Sequence, residues 1–354
     1  MSKVVLENNI HVRPLRHLTQ LLSEFPIKTW LCISDSNVKS TPLYATLIKQ
    51  LSADFNVDCY TLLAGERSKS FDSIQQIGEK MLADGYRREI GILAIGGGVV
   101  LDCAGLIAAL FCRGVPWIAV PTSLMAMVDV CVGGKTGINT RYGKNTFGVI
   151  YPAMHSWVDT LWLKTLPNVE FQWALSEVVK VAALADESSV LWLHQCAEAI
   201  LQQQHDVLVP MIKMALSIKS TYVSGDLQDH HRRGFLNLGH TLAHALECCS
   251  AWQMPHGQAV AAGLHLVSGI SSSVGFRTQH QQLLKETLLA LGLTFSMPEF
   301  STDQLWQVIQ KDKKRLVTGT VRWVGLKAFG QPIWMNDVSY TVFFENYTAL
   351  YQDK

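Results

Sequence analysis

Over the first 150 residues, short apolar runs alternate with longer segments whose apolar residues recur every three or four positions. The runs at 29–34 (TWLCIS), 58–64 (DCYTLLA), 89–98 (EIGILAIGGG) and 115–122 (VPWIAVPT) predict buried strands. Between them, 41–53 predicts a helix, and 71–86 predicts an amphipathic one with Phe71, Ile74, Ile77, Met81 and Leu82 on its apolar face. Another helix is expected from about Asp102, and Asp35, Ser36 and Asn37 form a turn-like cluster after the first run. Strand–helix alternation of this kind predicts a parallel, Rossmann-like sheet with helices on both faces.

From about Lys164 the two-residue alternation nearly vanishes. Helices are expected over 170–204, 207–225, 235–250, 256–274 and 280–291, with Pro167, Pro210 and Pro255 near their starts or breaks. A β-like piece at 320–330 closes the core. The expected architecture is an α/β domain over 1–160 and a mainly helical domain over 161–354.

Composition narrows the function classes. Lys plus Arg number 30 against 29 Asp plus Glu, a net charge of +1, so no general field draws nucleic acid or an anionic membrane. The most apolar stretch, Ile90 to Cys112, carries a glycine triplet and Asp102, which favours strand, turn and helix over a membrane span. The opening MSKVVLENNIHVRPLRH has no apolar core of the secretory kind, and the eight cysteines show no CxxC spacing. A reduced, cytoplasmic protein is expected.

Three regions carry candidate chemistry. Gly96, Gly97 and Gly98 follow a buried strand and open a helix, where bare backbone and free N–H groups suit a pyrophosphate; a plain tight turn would look the same. Asp102 would bond a cofactor or cap the first turn. The stretch 120–145 sets Lys135, Lys144 and Asn145 among glycines within apolar sequence, as a backbone folded around an anion would. In the helical half, His240 and His244 share a helix face, His256 follows, and Glu177 and Lys180 are neighbours on another helix. A carboxylate with imidazoles can form a three-ligand divalent site with open positions, but spacing does not say which histidines bind. His230 and His231 lie in charged sequence and read as solvated; His194 and His265 read as ordinary helix residues.

Taken together, GERSKS (65–70), GGGVVLDCAG (96–105), RGVPWIAVPTSLMAMVD (113–129), GGKTGIN (133–139), GKN (143–145), TLP (165–167), SEVVK (176–180), RGFLNLGHTLAHALE (233–247), HGQAVAAG (256–263) and DKK (312–314) resemble the 3-dehydroquinate synthase family of sugar-phosphate cyclases. The resemblance implies NAD held between the two domains, with Asp35, Asn37, Glu66, Lys69, Gly97, Gly98, Asp102, Thr122, Ser123, Asp129, Lys144 and Thr165 at cofactor positions. It implies zinc or cobalt on Glu177, His240 and His256, with His244 at a substrate or proton-transfer position instead of on the metal. Arg113, Asp129, Lys135, Asn145, Lys180, Lys219, Arg233, Asn237 and Lys313 match substrate-pocket positions. The implied substrate, 3-deoxy-D-arabino-heptulosonate 7-phosphate, is a small sugar phosphate whose carboxylate and phosphate call for local Lys and Arg. Transient oxidation by NAD, phosphate elimination, re-reduction and an internal aldol reaction would give 3-dehydroquinate in the shikimate pathway. A homodimer is implied as well.

This chain departs from the family pattern at Ser123, where threonine is common, and at Gln258, where a glutamate is usual and a carboxylate near the metal would be missing. Leu227 and His231 stand where an acidic residue and glycine are usual. Competing expectations are a cyclase of the inosose or valiolone type, a metal-dependent polyol or glycerol-phosphate dehydrogenase, and a non-catalytic protein that kept the fold.

Overall fold

The computed structural model describes residues 9–295, 300–311 and 321–352. By contact the chain divides into two compact units, one formed by residues up to Pro167 with Val223–Gln228, the other by Asn168–Tyr222 and the residues from Asp229 onward.

The first unit is built on six parallel strands: β1 (Ile10–Val12), β2 (Thr29–Asp35), β3 (Asn56–Leu62), β4 (Ile90–Gly96), β5 (Trp117–Pro121) and β8 (His155–Val158), in the order β1-β8-β5-β4-β2-β3. Every residue of β4 and β5 is buried, which is why those runs are continuously apolar. The helix Pro42–Leu51 starts on Thr41, whose hydroxyl accepts from the Tyr44 N–H, with Pro42 in the first turn. Ser70 caps Phe71–Ala83 in the same way, and that helix buries Ile74, Ile77 and Met81; Phe71 and Leu82, expected on the buried face, are exposed. The chain leaves β2 outward to β3 and leaves β4 the other way to β5, so strand order reverses between β2 and β4. In open α/β sheets, ligands bind at the carboxyl ends of strands at such a reversal.

The glycine-rich part of the 120–145 stretch, read from sequence as a backbone folded around an anion, runs into a strand pair. Lys135–Thr140 (β6) and Gly143–Ile150 (β7) form an antiparallel hairpin turning at Arg141 and Tyr142. Gly137 faces Gly148, and a Cβ at Gly148 would lie 2.0 Å from the Thr136 carbonyl, so the glycines serve close strand contact.

The second unit is mainly helical. The single helix expected over 170–204 is three: Asn168–Ala185, Glu187–Gln195 and Ala197–Leu201. The break has a local cause, for the Asp186 carboxylate accepts the Ser189 N–H at 2.7 Å and starts a new helix. Pro210 lies inside His205–Val223, in its second turn, without ending it. The expected helix at 235–250 begins only at His240, after a tight turn over Arg232–Asn237 and a left-handed Gly239 (φ 78°), and runs to Cys249. His256–Ile270, Thr278–Ala290, Thr302–Lys311 and Tyr340–Gln352 complete the helices, and Val321–Ala328 (β9) pairs antiparallel with Gln331–Val338 (β10). No helix among the described residues is long and apolar enough to cross a membrane.

Candidate active site

In the first unit, candidate residues gather at the carboxyl ends of three adjacent strands. Asp35 ends β2, and its Oδ1 accepts the N–H groups of Asn37 and Val38 at 2.8 and 2.9 Å. Gly97 and Gly98 follow β4 and open the helix Gly98–Leu110. Thr122 and Ser123 follow β5; the Thr122 N–H reaches the Gly96 carbonyl at 3.0 Å, and a Cβ on Gly97 would come within 3.4 Å of Ser123 Oγ. The backbone is bare at the end of β4, between the polar side chains that end β2 and follow β5.

Beside this lies a charged network. The Lys69 ammonium, buried after β3, donates to Asp102 at 2.5 Å and to the Asn145 side-chain oxygen, with Glu66 at 3.9 Å. Asp102 accepts from Lys69 within the helix Gly98–Leu110, whose N-cap is Gly97, so of the two readings offered by sequence the first-turn cap is not the one found. Burial raises the Asp102 carboxyl to about 6, against the pull of Lys69, and the charges of Glu66 and Asp129 add to the rise. Asn139 joins the members together. Its Nδ2 donates to Glu66 at 2.7 Å, its Oδ1 accepts the Asn145 N–H at 2.9 Å, and its own N–H reaches the Lys69 carbonyl. Asn145 is left-handed, at φ 54°.

Other sequence candidates of this unit are placed differently. Lys135 opens β6 and Lys144 lies on β7. Asp129 lies in the turn Ala126–Val130. The Thr165 hydroxyl bonds the Trp162 carbonyl at 2.7 Å. Arg113 lies in the turn that follows Gly98–Leu110, about 20 Å along that helix from Gly98. Within one chain it is not brought to the strand ends.

The second unit holds a compact donor set. Glu177 is carried by Asn168–Ala185, His240 opens its helix, and His256 opens His256–Ile270. Donor atoms of the three lie within 4.8 Å of one another. His240 Nε2 and His256 Nε2 stand 3.4 and 3.5 Å from the same Glu177 oxygen, Oε1. Ligands around a tetrahedral zinc are about 3.3 Å apart, from bonds of about 2.0 Å. The far ring nitrogens are engaged: His240 Nδ1 with the Leu238 carbonyl at 3.1 Å, and His256 Nδ1 with Glu247 Oε2 at 3.3 Å. Such contacts orient metal-ligating imidazoles. Both Glu177 oxygens are buried without a well-formed hydrogen bond, although Lys180 forms an ion pair with the carboxylate. A buried carboxylate and two imidazoles that converge on one point, His256 remaining partly open to solvent, fit a divalent cation.

The electrostatics agree. Burial pushes the Glu177 carboxyl up, but Lys180, then His240 and His256, outweigh it and hold the group well below the usual range. Burial, then Lys180, push His240 down to about 4, so the ring is neutral and can ligate. Burial opposes a charge on His256, yet Glu177 and Glu247 raise it to about 10. Glu177 faces Nε2 and Glu247 faces Nδ1, and the same negative charge that favours a proton on the ring favours a cation at Nε2.

His244 is close to His240, with ring centroids 5.5 Å apart and nearly perpendicular planes, but it is not among the converging donors. Lys180, Lys219 and Arg233 are all buried, an uncommon setting for cations, and Asn237 Nδ2 bonds the Gly234 carbonyl at 3.0 Å. His230 and His231 are exposed, as expected. Lys313 lies outside the described residues.

Glycines set the ligand spacing. A Cβ on Gly257 would fall 2.0 Å from the Trp173 carbonyl, on the helix that carries Glu177. A Cβ on Gly263 would fall 1.9 Å from the Gly239 carbonyl, beside His240. Neither Glu247 nor Asn139 was singled out from sequence. Glu247 could have been found, because it lies seven residues after His240 and therefore on the same helix face. The role of Asn139 depends on the hairpin, which the sequence pattern did not show.

The 3-dehydroquinate synthase N-terminal family description matches residues 59–173, and its C-terminal counterpart matches 174–315. The chain belongs to the 3-dehydroquinate synthase family. It is 37% identical over 321 residues to the 3-dehydroquinate synthase of Acidithiobacillus ferrooxidans, covering 90% of this chain and 86% of that one. With the Lactiplantibacillus plantarum enzyme of the same name it shares 37% over 334 residues, 91% and 90% of the two chains. Among solved structures, the 2-epi-5-epi-valiolone synthase of Streptomyces hygroscopicus with NAD+ and Zn2+ bound superposes with a TM-score of 0.86 at 24% identity, over 98% and 96% of the chains. A 2-deoxy-scyllo-inosose synthase with carbaglucose-6-phosphate, NAD+ and Co2+ gives 0.80 at 21%, over 95% and 94%. These structures share the sheet-plus-helices fold.

Proposed function

We propose that the chain is a carbon–oxygen lyase that converts 3-deoxy-D-arabino-heptulosonate 7-phosphate to 3-dehydroquinate and phosphate, using NAD and a divalent zinc or cobalt ion. The observation that carries this is the convergence of Glu177, His240 and His256 on one point in a chain of this family. When bound, NAD supplies a reversible hydride acceptor and the divalent ion supplies Lewis acidity toward substrate hydroxyls.

The remaining chemistry falls to the chain. Asp35, Gly97, Gly98, Thr122 and Ser123 present acceptors, bare backbone and hydroxyls for the dinucleotide; Asn37, Asp129, Lys144 and Thr165 are assigned to it by the family pattern alone. Glu66, Lys69 and Asp102 hold their mutual geometry through charge. Lys180, Lys219, Arg233 and Lys135 are assigned to the substrate carboxylate and phosphate, where charge-assisted bonds in a low-dielectric setting are strong. Asn145 and Asn237 orient substrate hydroxyls, and His244 moves a proton. Arg113 and Lys313 are assigned to the same substrate. Reactant and product differ by loss of phosphate with no net redox change, so NADH must not accumulate. The protein is expected to act as a homodimer in the cytoplasm.

The test is to incubate purified protein with the heptulosonate phosphate, NAD and zinc, and to follow phosphate release together with absorbance of reduced nicotinamide. Phosphate release without NADH accumulation supports the proposal. Steady NADH accumulation with a polyol would instead make it a dehydrogenase, and turnover of a neutral sugar phosphate alone would make it a cyclase of the valiolone or inosose type. Retention of Arg233 and Lys219 favours the carboxylate-bearing substrate.

A further inference from the structure

Cys32 and Cys59 stand opposite one another on neighbouring parallel strands, in direct register between β2 and β3. Paired residues of a parallel sheet point to the same face, and their strands lie about 4.8 Å apart, inside the range of roughly 4.4–6.8 Å over which a disulfide joins two Cα atoms. None of the other cysteines has a cysteine as its strand partner. β3 is the outer strand of the sheet, and Cys59 is exposed there, whereas Cys32 is fully buried. Cys59 is thus the member of the pair that solvent reagents can approach.

The surroundings divide the roles of the two thiols. The neighbouring Cys32 thiol, then Tyr44 and the charge of Lys39, hold the Cys59 thiol down to about 6, against its partial burial and the charge of Asp58. The Cys32 thiol is pushed well up, first by the adjacent Cys59 and then by burial. Cys59 is the nucleophile and Cys32 the protonated neighbour, an arrangement used where a first cysteine is oxidised and a second resolves it.

We propose that Cys32 and Cys59 form a two-cysteine oxidation site that closes reversibly to a disulfide under hydrogen peroxide. The Cys59 sulfur attacks a peroxide oxygen, the O–O bond breaks, and hydroxide leaves and is neutralised by the proton Cys59 had released. The Cys32 sulfur then attacks the Cys59 sulfenic sulfur, the S–O bond breaks, and the departing hydroxide takes the Cys32 proton as a second water. Two thiols and one hydrogen peroxide give one disulfide and two waters; the sulfurs lose two electrons and the peroxide gains them. Joining directly paired parallel strands draws the Cβ atoms closer than the sheet spacing, so the bond is expected to be easily reduced.

The experiment exposes the reduced full-length protein to hydrogen peroxide and reads intact mass and peptide maps. The expected result is loss of two hydrogen masses, a cross-linked peptide pair containing Cys32 and Cys59, and full reversal by dithiothreitol. Cys59→Ser should keep its mass under the same treatment. Cys32→Ser should accumulate a sulfenic acid at Cys59, captured by dimedone. A cross-link between other cysteines, direct conversion of wild-type Cys59 to sulfinic acid, or an unchanged wild-type mass would overturn the proposal.

Discussion

The Nδ1 of His256 faces Oε2 of Glu247 across 3.3 Å. The imidazole is held with its other nitrogen toward Glu177, and the carboxylate behind the ring raises its basicity. A carboxylate therefore stands behind this ligand on the preceding helix, although position 258 carries Gln.

Glu247→Gln keeps the shape and removes the charge. Metal affinity should fall by about 10- to 100-fold, measured by competition with a chromogenic chelator, while far-ultraviolet dichroism stays unchanged. Unaltered affinity would show that Glu247 does not orient the ligand.

Gly257→Ala should push the His256 helix away from the Trp173 carbonyl, 2.0 Å from the added carbon. Overpacking of this kind costs about 1–3 kcal/mol. The predicted signature is a lowered denaturation midpoint together with weaker metal binding, read by denaturant titration and calorimetry.

Asn139 makes three bonds that tie Glu66, Lys69 and Asn145 together. Asn139→Ala should lower kcat/KM for phosphate release by about tenfold, the scale of one bond to a charged group. Asn139→Asp should not rescue it, since a second carboxylate would face Glu66. Wild-type kinetics in either variant would rule out this positioning role.

His11 Nε2 and His155 Nδ1 are 3.0 Å apart, and His11 stacks on Trp157. Burial, then mutual repulsion with His155, lowers the His11 value; burial likewise lowers that of His155. Below about pH 6.5 the unfolded chain therefore binds more protons than the folded one, so stability falls as pH drops through that window. His11→Gln should flatten the fall in thermal midpoint on acidification, followed by dichroism. An unchanged slope would exclude the pair as its source.

Buried strands were legible in the sequence because β4 and β5 admit no polar residue. The metal donors were legible through the family motifs, whereas helical spacing alone pointed equally to His244. What escaped were features made by partners distant in sequence. The β6–β7 hairpin looks like loop because its glycines serve the neighbouring strand, and β1 and β8 are too short to show a period. The 170–204 helix was overextended because the cap at Asp186 sits inside an otherwise helical run.

The Gly239–Gly263 approach leaves no room for even a methyl group between those two segments. Main-chain contact, not the cation, then establishes how far apart the ligands stand. The expected consequence is that the polypeptide keeps its architecture when a chelator takes the ion, which helical dichroism before and after chelation would check. In this it would differ from zinc fingers, whose fold collapses when the metal departs.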